Sequence, residues 1–274
     1  MSVYADIAKA ESENREFAVV TVVATSGSTA REAGAMMLVY PDGSISGTVG
    51  GGILERQAKI DAKDCIRTGK PLLKEYEIVA GDPKGDTVGG KVTCFLQPHK
   101  AANKLYLLGA GHVAQELIPL AKLAGFYVTV IDPRESLSKT GRAGEADEFI
   151  LAEYSVIDTM DFDPGCYFMI GTYDHAIDGE LLGKALRTDA KYVGMLGGKP
   201  KIRAIFKKLR EEGLDDTVLK KAHTPAGLDI GGQTPAQIAL SVAAELLAVS
   251  EGKDGGFCCI PVLESLEQEG NGIS

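Results

Sequence analysis

The sequence predicts an α/β protein in two parts: an N-terminal α+β domain, then a Rossmann-type doubly wound parallel sheet. Three observations carry this. The turn Gly109-Ala110-Gly111-His112-Val113-Ala114 has the Gly-x-Gly-x-x-Ala spacing of a dinucleotide-binding βαβ unit. Apolar runs flank it, Leu105–Leu108 before and Phe126–Ile131 after, with the apolar-periodic stretch Val113–Leu123 between them. The second run ends in Asp132, about 20 residues past the second glycine, where such units carry an acid. The residues ahead of the turn then form a separate module.

The elements follow in order. Residues 2–12 read as a short helix, and the β-branched run Phe17–Thr25 as a buried strand. Residues 26–34 are a loop. Met36–Tyr40 and Ser44–Val49 flank Pro41-Asp42-Gly43, a hairpin turn. Gly50-Gly51-Gly52 opens a helix to Arg67, and strands are expected at Tyr76–Val79 and Lys91–Leu96. The polar stretch 97–103 is the expected linker, which places the domains at 1–98 and 103–251. Beyond the βαβ unit, strands are expected at 148–151, 167–171 and 192–196, with helices at 176–187 and 200–212. Leu214-Asp215-Asp216 caps a short helix. Thr234-Pro235-Ala236-Gln237 spells a capping box, and the helix it starts, 235–249, is apolar nearly all round and expected to be buried. The Gly- and Glu-rich residues 252–274 read as a mobile tail.

Composition narrows the partners. The net charge is −9 with no basic cluster, which argues against nucleic acid and anionic membrane. No apolar run has the length of a membrane span, and the mixed, acidic stretch Met1–Glu16 does not read as a signal peptide. Five cysteines without Cys-x-x-Cys pairs or framework spacing predict a reducing, cytoplasmic setting and no structural zinc. Cys65, Cys94 and Cys166 fall on predicted elements and read as buried small apolar residues; Cys258-Cys259 lies in the tail. With four histidines in all, no metal centre is expected.

Several loops are placed for chemistry. Ser26–Gly34 offers hydroxyls, glycines and Arg31, a fixed fork for phosphate or carboxylate. Gly50, Gly51 and Gly52 let a ligand approach the backbone at a helix start. Glu55, one turn in, either complements the helix dipole or accepts protons from a ligand as a base. Gly109, Gly111 and His112 form the pyrophosphate turn. Asp132 suits a ribose hydroxyl, hence NAD, while Arg134 two residues on suits a phosphate, hence NADP. In Thr172–Asp178, either Asp174 and Asp178 orient His175 or an Asp caps a helix beside an exposed histidine. Lys199 and Lys201 sit at a predicted helix start, an arrangement that favours a bound anion. His223–Ile230 is a further, less specific loop. Catalytic candidates are Glu55 and His175, and an NAD(P)- or FAD-dependent oxidoreductase is one reading open to the Rossmann half.

Taken as an ordered set over about 17–250, these motifs resemble the xanthine dehydrogenase accessory and carbon monoxide dehydrogenase maturation factors, the XdhC/CoxI family. The residues that carry the resemblance are Gly27-Ser28-Thr29-Ala30-Arg31 with Gly34-Ala35-Met36, Gly47–Gly52 with Glu55, and Gly89-Gly90. They continue through Gly109–Ala114, Asp132-Pro133-Arg134, Asp174-His175-Ala176, Tyr192–Gly197, Gly227–Ile230 and Thr234-Pro235. The resemblance implies a cytoplasmic, dimeric accessory protein rather than an oxidoreductase. It implies binding of molybdenum cofactor (molybdopterin), sulfuration of that cofactor with a cysteine desulfurase, and delivery to an apo molybdenum hydroxylase of the xanthine, aldehyde or CO dehydrogenase type.

Three positions depart from the family pattern. Many members carry cysteine where this chain has Ile53 and Val88, and proline where it has Ala30. The chain is most similar to a branch without the first cysteine, associated with aldehyde oxidoreductases. Binding is then expected to rest on the Gly50–Gly52 amides, Arg31 and Glu55 rather than on thiolate.

Overall fold

The computed structural model describes residues 2–78, 89–138 and 141–257. The chain divides into two compact units, the first ending at Ala102 and the second beginning at Asn103.

The first unit is a five-stranded antiparallel sheet with a helix on each face. Its strands are β1 (Phe17–Ser26), β2 (Met36–Val39), β3 (Ile45–Gly47), β4 (Leu72–Ile78) and β5 (Gly90–His99), in the order β3-β2-β1-β5-β4. Alternation decides the faces. Ala18, Val20 and Val22 of β1 point to α2 (Gly52–Thr68), which returns Leu54, Ala58, Ala62, Cys65 and Ile66. Phe17 and Val19 point the other way, with Leu38 and with Ala10 of α1 (Val3–Ser12). Fully burying side chains of this size stabilises by roughly 1.5–3 kcal/mol each. Two expectations change here. The first strand of the later pair begins at Leu72, not Tyr76. Gln97 and Pro98, read as linker, belong to β5, because they pair with Val19 and Ala18.

The second unit is a six-stranded parallel sheet with helices on both faces. Its strands are β6 (Asn103–Leu108), β7 (Phe126–Ile131), β8 (Glu148–Ile150), β9 (Tyr167–Ile170), β10 (Tyr192–Met195) and β11 (Ala222–His223). Their order is β11-β10-β9-β6-β7-β8, the doubly wound 3-2-1-4-5-6 arrangement read from the far edge. On one face, Leu105 and Leu107 pack with α3 (His112–Leu123) and α8 (Pro235–Ser250). On the other, Tyr106 and Leu108 pack with α5 (His175–Ala185) and α6 (Lys199–Glu211). Two further helices, α4 (Glu135–Ser138) and α7 (Asp216–Leu219), are short.

The capping box of α8 forms: the Gln237 amide donates to Thr234 Oγ1 at 3.3 Å, and the Thr234 amide donates to Gln237 Oε1 at 3.2 Å. The expectation of burial all round is not met. Leu240 and Leu247 stay 53% and 45% exposed, because one stripe of α8, Ala239, Val242, Ala243 and Leu246, meets the sheet and α3.

Candidate functional site

In the first unit, three glycine segments are brought together. A Cβ on Gly27 would stand 2.7 Å from the Gly89 carbonyl oxygen, and one on Gly90 would stand 2.3 Å from that of Ser28. The 26–34 loop therefore lies backbone to backbone on the Gly89-Gly90 pair. Val88, the neighbouring departure from the family pattern, lies outside the described residues, as do Cys258 and Cys259.

The triple glycine needs its residue type for conformation. Gly50, Gly51 and Gly52 have φ of +138°, +77° and +61°, values that L side chains avoid. A Cβ on Gly51 or Gly52 would meet nothing within 4 Å, so this turn is open. One on Gly50 would lie 4.0 Å from Arg31 Cγ, which puts the arginine stem beside the turn. Arg31 is exposed, and its guanidinium makes no hydrogen bond or ion pair among the described residues. A pocket of about 230 Å³ opens here, lined by Ala30, the three glycines, Ile53, Leu54, Glu77 and Ile78. Ile53 is 60% exposed.

Glu55 turns inward on its own loop. Its Oε1 accepts from the Thr48 hydroxyl and from the Gly51 amide at 3.0 Å, while the Gly50 amide donates to Thr48 Oγ1 at 3.2 Å. Of its two open roles, the arrangement matches the dipole-complementing one. Among the described residues, the Gly50 and Gly51 amides are thus taken, which leaves Gly52 and the helix start that follows to meet a ligand.

In the second unit, the loops after β6, β7 and β9 meet at the carboxyl ends of the strands, where the strand order reverses. Gly109 has φ of +112°, and a Cβ there would stand 2.4 Å from the Gly171 carbonyl oxygen. Asp132 is wholly buried. Its Oδ2 accepts from the Ala110 amide at 2.8 Å, tying the acid to the glycine turn. Arg134 closes over it: the amide and Nε donate to Oδ1 at 2.9 and 2.8 Å, and Nη2 donates to Oδ2 at 2.6 Å. The Tyr154 hydroxyl adds a contact at 3.3 Å. Burial pushes the Asp132 carboxyl up, but the hydrogen bonds from Arg134 and the two amides outweigh it and hold the group below its ordinary range. The expectation that Asp132 meets a ribose hydroxyl finds both oxygens already engaged.

The histidine and lysine loops also resolve internally. Asp174 caps α5, accepting from the Ala176 amide at 2.7 Å. Asp178 accepts from the Thr172 amide at 2.8 Å and from Lys201, so neither acid contacts His175, which stays exposed. Lys201 thus has a partner within the protein, Asp178, where a bound anion was expected. Lys199 and His112, each opening a helix, are exposed.

One polar cluster escaped the sequence. His223 Nδ1 lies 3.0 Å from Glu245 Oε1, and Oε2 accepts from the Tyr192 hydroxyl at 2.5 Å and the Gly227 amide at 2.7 Å. Burial pushes the Glu245 carboxyl up, and these hydrogen bonds more than reverse it. The signal was Glu245 itself, the one charged residue of α8.

Cys65, Cys94 and Cys166 are buried, and burial pushes Cys94 and Cys166 up to about 11. Among the described residues, no group of three or more His, Cys, Asp or Glu is placed to hold a metal, and no helix is long and apolar enough to cross a membrane.

Known proteins resemble both units. A family model described as "XdhC Rossmann domain" matches residues 105–246, and one described as "XdhC and CoxI family" matches residues 10–77. "Uncharacterized protein YqeB" of Escherichia coli K12 is 33% identical over 269 residues, 95% of this chain and 48% of that protein. A probable xanthine dehydrogenase subunit of Bacillus subtilis 168 is 27% identical over 157 residues, 56% of this chain and 44% of that protein. The chain thus spans about half the length of these two relatives. "Molybdenum cofactor insertion chaperone PaoD" of Escherichia coli K12 is 26% identical over 277 residues, 89% of this chain and 86% of that protein. A crystal structure titled as a xanthine dehydrogenase from Bacillus halodurans shares the fold, with a TM-score of 0.51 at 21% identity, covering 94% of this chain and 98% of that one. The glycine turns, the strand order and these matches have one meaning: the chain belongs to the XdhC and CoxI family.

Proposed function

We propose that this protein is a molybdenum cofactor chaperone that supports maturation of a xanthine dehydrogenase-type enzyme. The observation that carries the reading is the first-unit site, where the open Gly50–Gly52 turn and an exposed Ile53 line one pocket and the stem of Arg31, whose guanidinium makes no hydrogen bond or ion pair among the described residues, lies beside the turn. The likeness to PaoD over most of both chains supports the same reading.

The cofactor, as cargo, brings a phosphate, a polar pterin and a dithiolene-held metal. The residues present suit the phosphate. Arg31 supplies a fixed fork for phosphate, and the start of α2 adds amides and dipole. The pocket, about 230 Å³, is below the roughly 300–1,000 Å³ of sites that enclose a drug-sized ligand. It takes one end of the cargo and leaves the other accessible for transfer. Ile53 cannot ligate molybdenum, so the metal end is held without protein thiolate and stays open to modification. Glu55 braces the turn rather than acting as a base.

The further partners are a cysteine desulfurase that supplies the sulfur and the apo molybdenum hydroxylase that receives the cofactor. The working state is a cytoplasmic dimer. Anaerobic loading with molybdopterin, followed by mass spectrometry of the retained ligand, tests the reading. Arg31→Ala is expected to weaken retention about tenfold or more, since a charge-assisted hydrogen bond contributes roughly 1.5–3 kcal/mol.

A further inference from the structure

We propose that the Rossmann unit binds a 2′-phosphorylated adenine dinucleotide, NADP, in preference to NAD, with Arg134 and Tyr173 as its recognition pair. This concerns a different unit from the cofactor pocket and does not rest on the chaperone reading.

The acid at the end of the second strand ordinarily accepts bonds from the ribose diol. Asp132 stands there and is 0% exposed, with Oδ1 accepting two bonds and Oδ2 three contacts, all from the protein. A ribose diol reaching this point finds no acceptor and loses its water without compensation. The group turned outward is the guanidinium: the Arg134 side chain is 38% exposed. Nε and Nη2 face Asp132, and Nη1 makes no hydrogen bond among the described residues.

A free carboxylate at this position repels a 2′-phosphate. Here the carboxylate is covered and neutralised, so the ligand meets the cation. The guanidinium carbon lies 5.3 Å from the centroid of the Tyr173 ring, and Tyr173 is 59% exposed. Together they offer an exposed aromatic ring for a purine and a guanidinium for a phosphate. Gly111, with φ of −68° and only the Gly171 carbonyl oxygen within 4 Å of its Cβ site, at 3.9 Å, leaves the pyrophosphate a close approach to the turn.

Calorimetric titration of the wild-type protein with NADP and NAD decides the matter without any variant. NADP is expected to bind about tenfold or more tightly, with the margin shrinking as salt rises. Tyr173→Ala, at an exposed position, is expected to weaken both ligands while keeping the preference; Arg134→Met is expected to erase it. If Arg134→Met does not fold, the wild-type ratio and Tyr173→Ala still carry the test. Equal or tighter binding of NAD overturns the inference. So does binding of neither dinucleotide, or an unchanged NADP affinity in Tyr173→Ala. A protein that retains molybdopterin but ignores NADP refutes this inference alone; one that prefers NADP but retains no molybdopterin refutes the chaperone reading alone.

Discussion

Lys201 reaches back from α6 to the buried carboxylate of Asp178 on α5, and its ammonium also donates to the Leu196 carbonyl at 2.9 Å. The pair joins the two helices that cover one face of the parallel sheet. Lys201→Met leaves Asp178 buried without its partner, so a loss of about 3 kcal/mol or more is expected in urea unfolding. Lys199→Met, at an exposed position, is expected to change stability by less than about 0.5 kcal/mol. Equal effects at the two lysines contradict the internal pairing.

The lysine pair also shows what a sequence can and cannot reveal. Two cations at a helix start suggested a bound anion; for Lys201 the negative partner is a side chain of the protein itself. Its identity depended on the fold, because Asp178 lies 23 positions upstream. Asp132 repeats the lesson: its place at the strand end was legible, its capture by Arg134 and the Ala110 amide was not. Leu105–Leu108 and Phe126–Ile131 were readable because strands buried on both faces are continuously apolar. The two-residue edge strand β11 carries no such run. In the first unit, Arg31 and Gly50 were recognisable by type, while their adjacency came from the packing of the 26–34 loop.

The glycine turn of the second unit divides into a structural and a permissive position. Gly109→Ala meets both a positive φ and the Gly171 carbonyl, so unfolding is expected about 2 kcal/mol or more easier than wild type. Gly111→Ala, extended at ψ −179° and with its nearest neighbour at 3.9 Å, is expected to fold normally and to weaken nucleotide binding. Thermal melts with calorimetric titration separate the two; a Gly109→Ala protein as stable as wild type contradicts the strain at that turn.

The buried thiols predict chemical silence. In a Cys258→Ser/Cys259→Ser background, Cys65, Cys94 and Cys166 are expected to resist a thiol-disulfide reagent at neutral pH and to react only as denaturant unfolds the chain. A thiol that titrates promptly in the folded protein contradicts their role as core residues.

Acid sensitivity follows from Asp132 and Glu245. Both carboxyls sit below their ordinary values of 3.8 and 4.5 in the folded chain. Their stabilising contribution is therefore complete above those values and is lost as pH falls through the folded ones. Urea midpoints are expected to be level in this respect down to about pH 5 and to drop below it, with a shallower drop in Glu245→Gln. An unchanged acid profile in that variant contradicts the His223–Glu245–Tyr192 network.

The central claim is cofactor binding without a protein thiolate. Its most direct measurement is molybdopterin retained after anaerobic loading, read by mass spectrometry, in wild type and in a chain whose five cysteines are alanine. Equal retention is predicted in both, weakening with salt because Arg31 and the α2 start hold the phosphate. A folded cysteine-free chain that loses the ligand, or a wild type that retains none, contradicts the claim.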